Sequence, residues 1–125
     1  MKYLGVDFGL KRIGLAISEG SLASPLKIIE GYGMGDLVDK VVRIAADEKV
    51  DQVIVGVPEG KIGEIVKKFT RELKKRGLKV DSADETLSSQ NALQSMIEMG
   101  IPKKKRSSND ATAAAIILQQ FLDSK

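Results

Sequence analysis

Three acidic positions could do chemistry in this sequence: Asp7 near its start, Asp84-Glu85 two-thirds along, and Asp110 near its end. The chain has no His and no Cys, which excludes thiolate nucleophiles, imidazole bases and His or Cys metal sites. Catalysis must then run on carboxylates, hydroxyls, Lys or Arg, and a carboxylate site favours hard cations such as Mg2+ or Mn2+. Carboxylates brought together in low dielectric repel one another and are tolerable only with bound cations. Such a cluster can hold two divalent ions roughly 3.5–4 Å apart and promote in-line displacement at a phosphodiester. Each acid also has a structural use. Asp7 can accept hydrogen bonds from the turn at Phe8-Gly9, Asp84 or Glu85 can cap a helix, and Ser107-Ser108-Asn109-Asp110 fits a capping box.

Two basic groups adjoin these acids. Lys11 and Arg12 follow Asp7, and Lys103-Lys104-Lys105-Arg106 precede Asp110. If the acids converge, both groups flank the acidic centre and can hold phosphates on either side of it.

The elements that must position these residues follow from hydrophobic periodicity. β-patterned runs on either side of Gly9-Leu10-Lys11-Arg12 predict a hairpin with Asp7 at the end of its first strand. Period-two alternation puts Leu4, Val6 and Phe8 on one face of that strand and Tyr3, Gly5 and Asp7 on the other. Leu26 to Ile29 reads as a third strand after Pro25, and Asp36 can cap a following helix that carries Leu37, Val38, Val41, Val42, Ile44 and Ala45 on one side. Gln52 to Val57 is a continuous apolar run, the mark of a strand buried on both faces in a parallel, helix-covered sheet. A helix is predicted from about Gly63 to Arg76 and ends at Gly77, its outer side basic through Lys67, Lys68, Arg71, Lys74 and Lys75. Leu78 to Val80 reads as a strand, a helix starts at Thr86 or Ser88 and stops before Gly100 and Pro102, and a last helix covers Ser108 to Leu122. The Ala-rich start of that last helix allows another element to approach it closely. A meander followed by alternating helices and strands predicts an α/β fold, a mixed five-stranded sheet with helices on both faces. That arrangement resembles the ribonuclease H fold.

Composition agrees with one domain over residues 1–125, being 42% hydrophobic and 30% charged. The longest apolar run, Ala113 to Leu118, is too short to span a bilayer and no signal-peptide pattern opens the sequence, so a cytoplasmic location is expected. The net charge of +3 is unevenly spread: residues 1–60 hold 7 Lys/Arg against 9 Asp/Glu, and residues 61–125 hold 13 against 8. A basic half suits a polyanionic partner.

Four motifs together resemble the YqgF/RuvX family. They are Asp7-Phe8-Gly9-Leu10-Lys11-Arg12-Ile13-Gly14-Leu15-Ala16, Ile54-Val55-Gly56-Val57-Pro58, Asp84-Glu85-Thr86-Leu87-Ser88, and the run from Asp110 to Leu118. In order, they span almost the whole chain. The family is ribonuclease H-like and is described both as Holliday junction resolvases and as nucleases maturing the 5′ end of the small-subunit rRNA precursor. The resemblance implies that Asp7, Glu85 and Asp110 are the metal-binding catalytic acids, with Asp84 a neighbour. It also implies that Lys11 and Arg12 contact the nucleic-acid backbone. The sequence departs from the family pattern at Thr86, where Arg is common, at Val57, where Leu is common, and in a shorter loop after Pro58.

The resulting expectation is a metal-dependent endonuclease on structured nucleic acid, using Mg2+ or Mn2+. The leading substrate is the 16S rRNA precursor, and the alternative is branched DNA. Junction resolution calls for two sites in a symmetric dimer, whereas trimming RNA needs one, so monomer and homodimer both stay open. A different class of reading is a phosphate- or nucleotide-binding module, because Asp7-x-Gly9 also resembles the first phosphate loop of actin-like ATPases. A third is a non-catalytic RNA-binding factor. The basic helix face at Lys67 to Lys75 fits that reading, but solvated surface is the better explanation of it.

Overall fold

The first strand is apolar on both sides, and Leu4 and Val6 on one side and Tyr3 on the other are all buried. A strand of this kind must lie inside a sheet covered on both faces. The computed structural model shows that arrangement; it describes residues 1–9, 12–57, 61–84 and 110–124, with the backbone alone at 61, 84 and 110. The strands are β1 (Lys2–Phe8), β2 (Arg12–Glu19), β3 (Ala23–Glu30), β4 (Gln52–Val57) and β5 (Val80–Asp84). They form one sheet in the order β3-β2-β1-β4-β5, with β1 central. β1 and β2 pair antiparallel, as do β2 and β3, whereas β1, β4 and β5 run parallel. The mixed five-stranded sheet is as expected.

The helices are α1 (Met34–Asp47), α2 (Lys61–Lys75) and α3 (Asp110–Asp123). Leu4, Val6 and Phe8 pack with Leu37, Val38 and Val41 of α1 and with Val66, Phe69 and Leu73 of α2. The Phe8 and Phe69 rings lie 4.9 Å apart and tie the sheet to α2. On the opposite face Tyr3, Ala16, Ala23 and Ile54 pack with Ala114, Ala115 and Leu118 of α3. The sheet is therefore covered on both sides, as alternation along β1 requires. No helix among the described residues is long and apolar enough to cross a membrane.

Several boundaries differ from the sequence expectation. β3 begins at Ala23 rather than Leu26, with Pro25 inside it opposite Ala16, next to a register shift at Leu15/Ala16. An edge strand tolerates proline because one row of its N–H groups has no ladder to join. β5 runs Val80–Asp84 rather than Leu78 to Val80, because parallel pairing from Val53↔Val80 to Val57↔Asp84 recruits a polar segment. Asp36 lies inside the first turn of α1, whose N-cap is Gly33. α2 starts at Lys61, two residues earlier than expected, and Gly77 follows its end with φ +88°, a left-handed conformation that glycine adopts without strain. The helix expected between residues 86 and 100 lies outside the described residues.

One buried group stands apart from these packed faces. The Ser18 hydroxyl in β2 is buried with no hydrogen-bond partner among the described residues. An unsatisfied buried hydroxyl carries a desolvation cost, so Ser18→Ala is expected to stabilise the fold by about 1 kcal/mol. A higher urea midpoint at unchanged slope checks this.

Candidate active site

Asp7 is the penultimate residue of the central strand, opposite Gly14 across the hairpin, and is half-buried. It shares its face with Tyr3 and Gly5, the face on which α3 packs. The contacts of α3 give its direction. The Tyr3 and Phe121 rings meet edge to face at 5.7 Å, while a Cβ at Gly5 would fall 2.8 Å from the Leu118 Cβ and 3.1 Å from the Ala114 carbonyl oxygen. The helix thus runs antiparallel to β1 at very close range, which its small residues permit. Gln119 fixes its position along the sheet: the Ala23 N–H donates to Gln119 Oε1 and Gln119 Nε2 donates to the Ser21 carbonyl, both at 2.9 Å.

From Gly5 to Asp7 the strand advances about 6.7 Å, which corresponds to about four residues of an antiparallel helix. Four residues before Ala114 stands Asp110. The first turn of α3 therefore comes over the Asp7 end of the central strand. The seating of this first turn over the Asp7 end of β1 is a product of tertiary packing, since 103 residues separate Asp7 from Asp110 in the sequence.

The carboxyl ends of β1, β4 and β5 all reach the same edge of the sheet. In register, Val6 stands beside Val55 and Val55 beside Ser82, so Asp84 lies one residue farther out than the row of Asp7. The two strands that carry Asp7 and Asp84 are separated by two strand spacings, roughly 10 Å. Glu85, Lys11 and Lys103 to Arg106 lie outside the described residues. The backbone alone places Asp84 and Asp110.

Arg12 opens β2 opposite Glu30 and is exposed at this same end of the sheet. Gly9 supports the hairpin, because a Cβ there would fall 2.5 Å from the Arg12 carbonyl oxygen. Beside Arg12 opens a groove of about 630 Å³, lined by Arg12, Glu30, Gly31, Tyr32 and Lys40. The one signal of this groove in the sequence is an aromatic residue set between two glycines, Gly31-Tyr32-Gly33, after the third strand. The basic residues of α2 are exposed as expected, with Lys67 paired to Glu64 at 3.6 Å and Lys75 to Glu72 at 3.3 Å.

The groove's loop is braced by Asp36. The Tyr32 N–H donates to Asp36 Oδ2 at 3.0 Å, and Lys40 Nζ lies 3.3 Å from the same oxygen. The Tyr32 backbone hydrogen bond, with a smaller contribution from Lys40, holds the Asp36 carboxyl below its ordinary value. A depressed carboxyl pKa stabilises the fold above the unfolded pKa and loses that contribution as pH falls through the folded one. Asp36→Asn should therefore be less stable than the parent at neutral pH, with the gap closing below about pH 3.9. Unfolding midpoints across pH 2 to 7 are the check.

The chain matches the family described as "RuvX: Holliday junction resolvase" over residues 1–124. A protein of Maridesulfovibrio salexigens named "Putative pre-16S rRNA nuclease" is 36% identical over 132 residues, covering 98% of each chain. Among solved structures, Thermus thermophilus RuvC in complex with a Holliday junction substrate has the same fold at 18% identity, with TM-score 0.68 over 99% of this chain and 94% of that one. The fowlpox virus Holliday junction resolvase superposes with TM-score 0.67 at 17% identity, covering 100% of both chains. The fold is therefore ribonuclease H-like, and by its match across nearly every residue the chain belongs to the RuvX family.

Proposed function

We propose that this chain is a nuclease that hydrolyses phosphodiester bonds in structured nucleic acid, with 5′-end processing of the 16S rRNA precursor as its principal role. The observation that carries this reading is the Asp7 carboxylate at the end of the central strand, under the first turn of α3 and beside the Arg12 hairpin. The precursor RNA comes from the name of the relative that is 36% identical over nearly its full length. The family description favours branched DNA as the second substrate class.

Asp7, Glu85 and Asp110 are assigned as the catalytic acids that hold the cation. An oxygen-only donor set, in a chain without His or Cys, fits Mg2+ or Mn2+. When bound, two such ions supply water activation and charge neutralisation at a phosphodiester. Asp7 anchors the site to the central strand, and α3 carries Asp110 toward it. Lys11, Arg12 and Lys103 to Arg106 hold phosphates on either side. The chain works as one domain over residues 1–125, in the cytoplasm, as a monomer or homodimer.

The test is cleavage of end-labelled 16S precursor RNA and of a four-way DNA junction, in parallel, with Mg2+, Mn2+ and EDTA. Metal-dependent cutting of the RNA supports the leading role, and preference for the junction moves the chain to the second. Cutting of neither substrate with either metal would overturn the nuclease reading for both.

A further inference from the structure

We propose that Tyr32 is a stacking platform for an unpaired nucleobase of the substrate, in the groove it forms with Arg12. Of the five aromatic residues, Phe8 packs on Phe69 and Tyr3 on Phe121, whereas Tyr32 is fully exposed. Its ring has no packing role to explain it, yet its backbone is held firmly. The Tyr32 N–H is bonded to Asp36, and Lys40, which also approaches Asp36, donates from Nζ to the Glu30 carbonyl at 2.5 Å. Gly31 is pressed against Leu37, where an added Cβ would fall 2.7 Å from Leu37 Cδ2. A solvent-facing aromatic on a tethered backbone offers a free face for stacking, which accepts any base because every base has a π-face.

The position suits a base of a strand that crosses Asp7. Asp7, Gly14 and Ile28 form one cross-strand row, and Arg12 and Glu30 form the next row on the same face, toward the sheet end. Glycine at the middle of the first row puts no side chain between Asp7 and the β3 edge. Tyr32 follows Glu30 by two residues, and β3 lies roughly 10 Å from β1, two strand spacings. A strand entering over Asp7 passes Arg12, which supplies the cation for a phosphate, and reaches Tyr32 with a neighbouring base. A base still in a duplex is stacked between its neighbours and cannot use the platform, so the groove selects unpaired nucleotides. This inference rests on the nucleic-acid reading above, but not on cleavage.

The sequence offers a direct readout, because it has two Tyr and no Trp and Tyr3 is buried. Tyrosine emission of the intact chain is followed in EDTA during titration with a short single-stranded oligoadenylate, then with a blunt RNA duplex of the same length. The expected result is quenching by the single strand, with the quench lost and the affinity retained in Tyr32→Phe. Tyr32→Ala should bind the single strand about 5- to 150-fold more weakly and the duplex as tightly as the parent. The slope of affinity against salt should not change in Tyr32→Ala, whereas Arg12→Ala should lower it by about one. The exposed side chain makes Tyr32→Ala safe for folding, which circular dichroism verifies. Equal single-strand affinity of Tyr32→Ala and parent, an equal loss on the duplex, or no binding of the single strand by the parent would each overturn the proposal. Quenching without cleavage of any substrate would leave it standing while the nuclease reading fails.

Discussion

Asp7→Asn is expected to lower metal-dependent cleavage by about 1,000-fold or more, equivalent to about 4 kcal/mol of transition-state stabilisation. The substitution keeps the size and one carbonyl oxygen of the side chain while removing the negative charge that a hard cation needs. Asp7 is held in its place by the backbone ladder of β1 with β2, notably its register opposite Gly14, so the fold should persist. A simple structural role for Asp7 predicts a change in stability; a cation-holding role predicts a changed response to metal. Mg2+ that binds only the folded parent raises its unfolding midpoint by mass action, and that rise should shrink in Asp7→Asn. Asp51→Asn is a suitable control, because Asp51 accepts a hydrogen bond from the Lys2 N–H at the opposite end of β1. Full activity in Asp7→Asn would remove Asp7 from the catalytic acids.

Gly5→Ala should destabilise the chain by about 2–3 kcal/mol, the upper part of the range for overpacking a well-filled core. The added methyl would stand 2.8 Å from the Leu118 Cβ and 3.1 Å from the Ala114 carbonyl oxygen, and neither atom can rotate out of its way. Strand and helix must separate instead. Because α3 carries Asp110 in its first turn, the same shift moves that residue relative to Asp7, and a displacement of about 1 Å can cost about 100-fold in rate. Loss of both stability and cleavage is therefore expected from one methyl group placed outside the site. Gly35 in α1 provides the contrast: a Cβ there meets nothing within 4 Å, and Ala is the better helix former. Denaturant midpoints and single-turnover cleavage rates for the two alanine variants separate clash from glycine chemistry. Gly5→Ala with parental stability would mean that α3 does not rest on β1 as closely as described.

The two variants also mark where sequence and tertiary structure divide the work. Local pattern determined that Leu4, Val6 and Phe8 oppose Tyr3, Gly5 and Asp7, because strand alternation needs no distant partner. It likewise determined β4, whose unbroken Val53-Ile54-Val55 run could only be buried on both faces. The absence of His and Cys removed imidazole and thiolate from any site this chain can build, since composition is independent of folding. β5 was misplaced because Asp81, Ser82 and Asp84 have no strand-like pattern of their own, and pairing with β4 holds them extended. The position of α3's first turn, which carries Asp110, is decided by the antiparallel seat of α3 on Gly5, a contact between residues 109 or more apart. The groove at Tyr32 was decided by tertiary structure alone. It takes Arg12 from β2, Glu30 from β3 and Lys40 from α1, and local sequence carries no record of which elements meet at one end of a sheet.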